Sequence, residues 1–420
     1  MGIGRVYRGI VSIRIVFFVF GFVFVALVTA LFLFVPIQEK SAQPEIAGQD
    51  NLPAAREEIA QAAPEVIEEE PASGVVKPAS AESFGAARED NDESGIRAVY
   101  LTTNSAGSEG MINYVIDLAH TTQINAVVLD IKDFSGRVAY HDFALARFHE
   151  ENIYVIGRLT VFQDPILANS RPELAVHNKR FLSILQEIDV DAKPSLATVW
   201  RDNKGLAWVD PASKEVWDYN VAVAKTALEK GYEEINFDYI RFPSDGNLQD
   251  MMFLSWDEET PKRETISAFF AYLREELSGG IISADLFGLS TIKYDDIGIG
   301  QVIEDAFEYF DYVSPMVYPS HYANGFLGYE NPAEHPYEVI KYSLDSALKR
   351  LKASPSFAKA SEGTANLRPW LQDFDLGAEY GEEKVRAEIQ AVKDALGEDY
   401  VGYMIWAPTN IYTDGAFRGK

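Results

Sequence analysis

Short apolar segments alternate with amphipathic segments through residues 96–420. The apolar segments are rich in Val, Ile, Phe and Tyr, which is typical of strands buried on both faces, and the segments between them place apolar residues at helical spacing. Strands are predicted at residues 97–102, 125–133, 153–160, 233–243, 281–288, 312–319, 367–374 and 401–408. Helices are predicted at residues 108–121, 213–230, 261–278, 300–310, 336–352 and 382–396.

A strand followed by a helix recurs about eight times over about 320 residues, a count that favours a (β/α)8 TIM barrel over an open sheet. No GxGxxG or P-loop motif follows the first strand, which argues against a nucleotide-binding sheet. Residues 162–210 form a long insertion after the third strand, and insertions of that length are usually functional. The sequence therefore predicts an α/β barrel at residues 96–420.

A continuous apolar segment at residues 15–35 precedes the repeats, interrupted only by Gly21 and Thr29. Its length matches the roughly 20 residues that span a hydrocarbon core. Arginines lie on its amino side and acidic residues follow it, so the positive-inside rule leaves the amino terminus in the cytoplasm. We therefore expect residues 1–37 to form a cytoplasmic stub and a transmembrane anchor, with the remainder in the cell envelope. The alternative is a signal peptide, whose cleavage would give a secreted protein.

Residues 38–95 have a different composition, dominated by Pro, Ala, Glu and Ser and almost free of aromatic residues. Such a segment buries too little apolar surface to fold, and repulsion between its acidic groups keeps it extended. We therefore predict a disordered acidic linker between the transmembrane helix and the barrel.

The composition of the whole chain excludes several kinds of site. The formal net charge is -27, whereas phosphate binding needs clustered Lys and Arg, so nucleic acid is not expected as a partner and an anionic partner surface is also disfavoured. The chain has no cysteine, which removes disulfides and thiolate sites. None of its 6 histidines stands in an HxH or HExxH spacing, so we expect neither a metal nor a cofactor.

The strand at residues 233–243 ends in side chains that can carry chemistry. Alternation along a strand places Asn236 and Asp238 on one face and Tyr239 and Arg241 on the other. In an α/β barrel the carboxyl ends of the strands form the opening where catalysis occurs. The competing interpretation is a structural ion pair between Asp238 and Arg241.

The other strand ends supply further polar and aromatic groups to the same opening. Alternation predicts that the inward side chains are Asp130, Lys132, Arg158, Asp238, Asp285, Tyr318, Trp370, Gln372 and Trp406. Aromatic rings pack on the apolar faces of pyranose rings, while acids and amides bond to sugar hydroxyls. Two opposed carboxyl groups are enough to cleave a glycosidic bond. We therefore expect a polysaccharide or oligosaccharide substrate.

Several motifs also resemble a known family. They are NAVVLDIKD at residues 125–133, WVDP at 208–211 followed by VWDYN at 216–220, FDYIRFP at 237–243 and RPWLQDF at 368–374. Together they resemble the glycoside hydrolase family of the DUF4015 type over essentially residues 96–420. The resemblance implies a TIM-barrel glycosidase-like domain, often exported, in bacteria. The chain is similar, more distantly, to barrels that cut bacterial exopolysaccharides, in which an Asp after strand four is catalytic; that position is Asp238.

The catalytic roles are assigned to two carboxylates. We expect Asp238 to be the nucleophile or the carboxylate that stabilises an oxocarbenium ion, held ionised by Arg158 or Arg241. Asp285 is the candidate acid/base, because a less polar setting would keep it protonated. The alternative for Asp285 is a cap on the following loop.

Asp130 is a rival member of the catalytic pair. The alternative is that Asp130, Lys132 and Asp133 form a self-neutralising network that shapes the opening.

The remaining inward residues are assigned to substrate binding. Tyr318 and His321 are expected to orient the sugar, although packing is an equally simple role for Tyr318. Trp370 and Trp406 are expected under the sugar rings, the alternative being filler of the barrel interior. The predicted substrate-binding set is Arg158, Arg241, Lys132, Tyr318, His321, Trp370, Gln372 and Trp406.

Three classes of function follow from these residues. The favoured one is a glycosidase that acts on an extracytoplasmic polysaccharide. The second is a membrane-tethered barrel that binds glycan without cutting it. The third is a sugar-phosphate aldolase or isomerase, which needs a strand-end lysine or a phosphate-binding glycine loop. Lys132 is the only strand-end lysine, and the acids beside it favour an ion pair.

Overall fold

A computed structural model of the chain describes residues 95–189, 191–354 and 365–419. The predicted anchor at residues 15–35 lies outside the described residues, as does the predicted linker apart from Gly95. Among the helices of the described ranges, none is both long enough and apolar enough to cross a membrane.

Eight parallel strands close into a ring, which confirms the predicted (β/α)8 barrel. They are β1 (Ile96–Leu101), β2 (Ala126–Lys132), β3 (Tyr154–Thr160), β4 (Glu234–Asp238), β5 (Ile281–Phe287), β6 (Tyr312–Met316), β7 (Asn366–Leu367 and Trp370–Gln372) and β8 (Gly402–Trp406). Each strand pairs with the next, and β8 pairs with β1 through Ile96 and Gly402. The seventh strand is split because Pro369 has no N–H to donate.

Helices cover the outside of the ring. They are α1 (Thr103–Ala106), α2 (Glu109–Thr121), α3 (Asp142–Glu150), α4 (Pro165–Ser170), α5 (Lys179–Ile188), α6 (Lys214–Lys230), α7 (Lys262–Glu276), α8 (Ile303–Tyr309), α9 (Pro336–Ala353) and α10 (Glu382–Leu396). The six helices predicted from the sequence are all present within a few residues of their expected ends. The long insertion contributes α4, α5 and the strand His177–Asn178, which pairs with Met251–Met252.

Alternation along the strands divides the core into two layers. An outer layer between the ring and the helices contains Val127, Leu129 and Phe237 among many others. A smaller inner layer fills the barrel with residues such as Tyr100 and Trp370. Polar side chains two positions along a strand from these inner residues share their face and are directed into the barrel, and those nearest the carboxyl ends of the strands form the site.

Candidate active site

A cavity of about 620 Å³ opens at the carboxyl ends of the strands. Its size suits a small ligand or a few sugar units. Predicted site residues that line it are Arg158, Asp238, Arg241, Asp285, Tyr318, His321, Trp370 and Trp406. The structure thus brings most of the predicted residues together around one opening.

Asp238 is the last residue of β4 and is buried at the base of the cavity. Its Oδ2 accepts hydrogen bonds from Nε and Nη2 of Arg158 at 3.2 and 2.6 Å. Its Oδ1 accepts the backbone N–H of Tyr239 at 2.6 Å. Donors on both oxygens fix the orientation of the carboxylate. The ion pair expected between Asp238 and either arginine is therefore made by Arg158, and the alternative pair with Arg241 is not formed.

Arg158 joins two acids from neighbouring strands. Besides Asp238, its Nη1 donates to Oδ1 of Asp130 at 2.5 Å. Burial alone would lower the pKa of Arg158, but the charges of Asp130 and Asp238 outweigh it and raise that pKa well above its ordinary value. The guanidinium therefore stays charged and holds both carboxylates.

Asp285 lies in a different environment on β5. Its Oδ1 accepts hydrogen bonds from Nδ2 of Asn236 at 2.8 Å and from Nε1 of Trp370 at 2.7 Å. Its Oδ2 is 4.0 Å from Nε of Arg158, beyond hydrogen-bond distance. Burial, followed by the negative charge of Asp238, raises the pKa of Asp285 well above its usual value. Asp285 therefore holds a proton at pH values where an ordinary aspartate has lost it.

Asp238 and Asp285 lie next to each other on the paired strands β4 and β5. The register pairs Asn236 with Ser283 and Phe237 with Ala284, so the next residues, Asp238 and Asp285, stand side by side on the inner face. Nε of Arg158 is 3.2 Å from Oδ2 of Asp238 and 4.0 Å from Oδ2 of Asp285, so these two oxygens are at most 7.2 Å apart, the two distances laid end to end. That spacing allows both groups to reach one sugar linkage.

Asp130 is buried beneath the cavity and does not line it. Its Oδ1 accepts from Arg158, and its Oδ2 accepts the hydroxyl of Tyr100 at 2.5 Å. Burial raises its pKa, although Arg158 and Tyr100 oppose that effect. With both oxygens engaged, Asp130 is placed to position Arg158 and does not contact the cavity. The expectation of a catalytic Asp130 is therefore corrected to a positioning one.

Lys132 is turned away from the cavity, contrary to the prediction from alternation. A β-bulge between Asp130 and Lys132 shifts the register, and Lys132 pairs with Leu159, whose side chain belongs to the outer layer. Its Nζ is 2.6 Å from Oδ2 of Asp164 and donates to Oδ1 of Asn220 at 2.8 Å. The predicted ion pair is therefore formed, but with Asp164 instead of the flanking acids, and Lys132 neither binds substrate nor offers an amine for a Schiff base.

Gln372 and Trp370 also differ from their expected roles. Gln372 is fully buried, does not line the cavity, and accepts from the hydroxyl of Ser320 at 2.8 Å, so it braces the loop after β6. Trp370 is only 1% exposed, so neither face of its ring is free for a sugar ring. Its indole N–H donates to Asp285. Trp406 is partly exposed and stacks on Tyr100 with ring centroids 4.3 Å apart.

Further aromatic side chains line the cavity after the ends of β6 and β7. Tyr318 packs against His321 and Phe374 with ring centroids 5.3 and 5.8 Å apart. Burial, with the charges of Asp285 and Asp238, raises the pKa of Tyr318 well above its usual value, so its hydroxyl stays a donor. This part of the cavity therefore combines flat rings with one hydroxyl group.

The backbone at Tyr239 adopts a left-handed conformation, with φ of 53°. This conformation is uncommon for a residue other than glycine. It ends the alternation of β4, and Tyr239 and Arg241 therefore line the same opening as Asp238. The prediction that placed them on the opposite face holds only while the strand continues.

Several lining residues were not predicted as site residues. Trp208 comes from the long insertion, and Tyr239, Phe287 and Phe374 come from loops or strand ends. The WVDP motif at residues 208–211 was the available signal for Trp208. Because this motif lies far from any predicted strand, the sequence did not indicate that Trp208 lines the cavity. Within the described ranges, no group of three or more His, Asp or Glu side chains is arranged to hold a metal ion.

Comparison with solved structures finds proteins to which this chain is similar. A hypothetical protein from Ruminiclostridium thermocellum is 40% identical over 44% of this chain and 96% of that chain, with a TM-score of 0.38. The PgaB (BpsB) glycoside hydrolase domain from Bordetella bronchiseptica is 13% identical over 78% of this chain and 100% of that chain, with a TM-score of 0.53. The α-galactosidase TtGalA from Thermus thermophilus is 13% identical over 78% of this chain and 62% of that chain, with a TM-score of 0.46. At that identity the likeness to PgaB supports the fold alone.

No curated protein matches the chain at a significant level. The sequence profile of the DUF4015 family, described as "Putative glycosyl hydrolase domain", matches residues 98–412. The match covers the ring from β1 to β8, except the first two residues of β1, and every residue that lines the cavity. The chain therefore belongs to this family of glycosyl hydrolases.

Proposed function

We propose that the barrel hydrolyses O-glycosidic bonds of a polysaccharide outside the cytoplasm, with Asp238 and Asp285 as the catalytic pair. The observation that carries the proposal is the placement of these two carboxyl groups side by side at the base of one cavity, with Arg158 bonded to Asp238 and with the pKa of Asp285 raised by burial and by the charge of Asp238. A carboxyl group whose pKa is raised beside a second carboxyl group is typical of a general acid.

Asp285 is proposed as the general acid. Its Oδ1 is occupied by two donors, Asn236 and Trp370, while no donor of the described residues reaches its Oδ2 within hydrogen-bond distance. The proton of the neutral acid therefore belongs on Oδ2, from which it can be donated to the oxygen of the leaving sugar. Its raised pKa keeps that proton in place at pH values where an ordinary aspartate has lost it.

Asp238 is proposed as the nucleophile. The two hydrogen bonds from Arg158 and the one from the backbone of Tyr239 engage both of its oxygens and orient the group before the substrate binds. Attack on the anomeric carbon forms a covalent glycosyl–enzyme bond as the leaving oxygen takes the proton of Asp285. Asp285, now ionised, then removes a proton from the water that hydrolyses this intermediate.

The separation of the two groups favours retention of configuration at the anomeric carbon. Adjacent parallel strands lie about 4.8 Å apart, and the oxygens that face Arg158 are at most 7.2 Å apart. Retaining enzymes hold their carboxyl groups about 5–5.5 Å apart, whereas inverting enzymes hold them about 6.5–9.5 Å apart to admit a water. Side-by-side residues on neighbouring strands suit the shorter spacing.

The location of the substrate is proposed from the amino terminus. The apolar segment at residues 15–35 follows arginines and precedes a long acidic segment, which supports a membrane anchor with the barrel outside. Fractionation of cells into membrane and soluble material, with protease added to intact cells, tests this location. A barrel that resists protease until the cells are lysed would contradict it.

The activity is tested by incubating the full-length protein with a panel of envelope polysaccharides and measuring new reducing ends. We expect turnover by the wild type, none by Asp238→Asn or Asp285→Asn, and wild-type turnover by Asp117→Asn, an exposed acid on α2. Proton NMR of the first product should show the anomeric configuration of the substrate. Glycan binding without turnover by the wild type would favour the non-catalytic, membrane-tethered barrel.

A further inference from the structure

We propose that the sugar bound beside the cleaved bond carries a carboxylate, as a hexuronic acid does, and that Arg241 binds it. This inference rests on the proposed function, because it names the kind of sugar that the same cavity takes. It starts from the surroundings of Arg241, which lines the cavity three residues after Asp238.

Arg241 is a buried cation without an acidic partner. It is 8% exposed, and among the described residues no carboxylate oxygen lies within 4.0 Å of its nitrogens. Other buried basic side chains have acidic partners: Arg158 pairs with two aspartates, Lys132 with Asp164 and Arg368 with Glu234. A buried charge is costly unless it is paired, so the exception at Arg241 calls for a partner from outside the chain.

Three aromatic rings hold the guanidinium in place. Its central carbon lies 4.9 Å from the ring centre of Trp208, 5.0 Å from that of Tyr239 and 4.7 Å from that of Phe287. These rings come from the long insertion, the left-handed turn after β4 and the end of β5. Cation–π contacts compensate part of the cost of burial without using any N–H donor.

The hydrogen bonds of Arg241 leave one edge of the guanidinium free. Both bonds to protein acceptors come from Nη1, to the carbonyl of Phe242 and the hydroxyl of Ser244, each at 3.1 Å. No described residue accepts from Nε or Nη2. That edge presents two parallel N–H groups, the geometry that binds a carboxylate through two hydrogen bonds.

The acids whose charges act on Arg241 are Asp238, Asp245 and Asp202, and each accepts hydrogen bonds from other donors, Asp238 from Arg158. Asp202 accepts from the backbone N–H of Lys204 and of Leu206 and from the indole of Trp208. Asp245 accepts from the backbone N–H of Asn203 at 3.2 Å. Lys204, at the rim of the cavity, adds a second cation. The strongly negative charge of the whole chain disfavours an anionic surface as a partner, whereas one sugar carboxylate needs only this local site.

The test measures binding by the full-length Asp238→Asn protein, which is expected not to turn over substrate. The probes are methyl glycosides of glucuronic, galacturonic and mannuronic acid, each compared with its neutral hexoside by ligand-observed NMR titration. We expect at least one uronoside to bind about tenfold or more tightly than its neutral partner. A tenfold ratio corresponds to a difference in binding free energy of about 1.4 kcal/mol. Glucose 6-phosphate and glucose 6-sulfate are titrated in the same way, to test whether the site prefers a phosphate or a sulfate to a carboxylate.

Arg241→Gln in the same background should remove the preference for the uronoside, and Arg241→Lys should restore only part of it, because lysine keeps the charge but loses the paired N–H groups. Arg180→Gln, an exposed arginine on α5, should leave it unchanged. Circular dichroism melting of each variant checks that it is folded.

Equal binding of every uronoside and its neutral partner would overturn the proposal, as would an unchanged preference in folded Arg241→Gln. A stronger preference for the phosphate or sulfate would overturn the assignment to a carboxylate. Because the readout is binding, the two proposals can fail separately: uronoside binding by Asp238→Asn together with a wild-type protein that cleaves no glycan would refute the proposed hydrolysis and leave this inference standing.

Discussion

Replacing Lys132 by Met separates a structural lysine from a catalytic one. Lys132 and Asp164 are both fully buried, with Nζ 2.6 Å from Oδ2 of Asp164. Methionine fills a similar volume but leaves the carboxylate of Asp164 with only the backbone N–H of Leu167 at 2.8 Å. Removing one partner of a buried ion pair costs about 3–5 kcal/mol. Unfolding in urea, followed by tryptophan fluorescence, should therefore show a loss of stability of about that size.

The same variant should keep its activity per folded molecule. Lys132 does not line the cavity, and the β-bulge after Asp130 directs it to the outer layer. Stabilities of about 5–15 kcal/mol are usual, so most of the Lys132→Met protein should remain folded without denaturant. A kcat/KM within about threefold of the wild type is expected, since no contact with the cavity is lost.

A second substitution tests whether the cost comes from the unpaired charge. Asp164→Asn in the Lys132→Met background removes that charge and should recover part of the lost stability, although Asp164→Asn alone should destabilise the protein. An unchanged stability of Lys132→Met would refute the reasoning about the buried pair. A fall of kcat/KM by tenfold or more in a folded protein would refute the assignment of Lys132 to structure.

Two further predictions concern buried acids. Trp370→Phe removes a donor that favours the ionised form of Asp285, so the pKa of Asp285 should rise and the alkaline limb of the kcat/KM profile should move to higher pH. The control is Trp217→Phe, on α6. An alkaline limb that stays in place or moves to lower pH would contradict the role of Asp285. Burial raises the pKa of Glu388 on α10, so its contribution to stability is present below the ordinary glutamate pKa of about 4.3 and is lost as pH rises through the raised value. Glu388→Gln should therefore melt higher than the wild type at pH 9 but not at pH 4, with exposed Glu383→Gln unchanged, and equal melting at both pH values would contradict it.

The barrel was predictable because its signal is local and repeated. Strands covered on both faces appear as apolar runs, so residues such as 125–133 could be recognised without any knowledge of their partners. Period-two alternation also placed Arg158, Asp238 and Asp285 on the inner face correctly, since each lies within a regular strand. Those three residues form the centre of the site.

The sequence did not predict the positions where the backbone leaves its regular period. The β-bulge after Asp130 turns Lys132 outward, and the left-handed Tyr239 brings Arg241 to the cavity. No glycine or proline occupies either irregular position, so the sequence gives no local signal for the β-bulge or for the left-handed residue. Trp208 was missed for another reason: its place in the cavity depends on how the long insertion folds back over the strand ends, which is a tertiary property.

The three central acids differ in the hydrogen bonds that they receive from Arg158. One guanidinium, Arg158, faces three carboxyl groups and makes hydrogen bonds to Asp130 and Asp238 only. A single positive charge does not stabilise three negative charges in a buried site, so the acid that receives least from it keeps a proton. Asp285, 4.0 Å from the guanidinium, is that acid. Burial and the charge of Asp238 raise the pKa of Asp285, and Arg158, which makes no hydrogen bond to it, does not offset them.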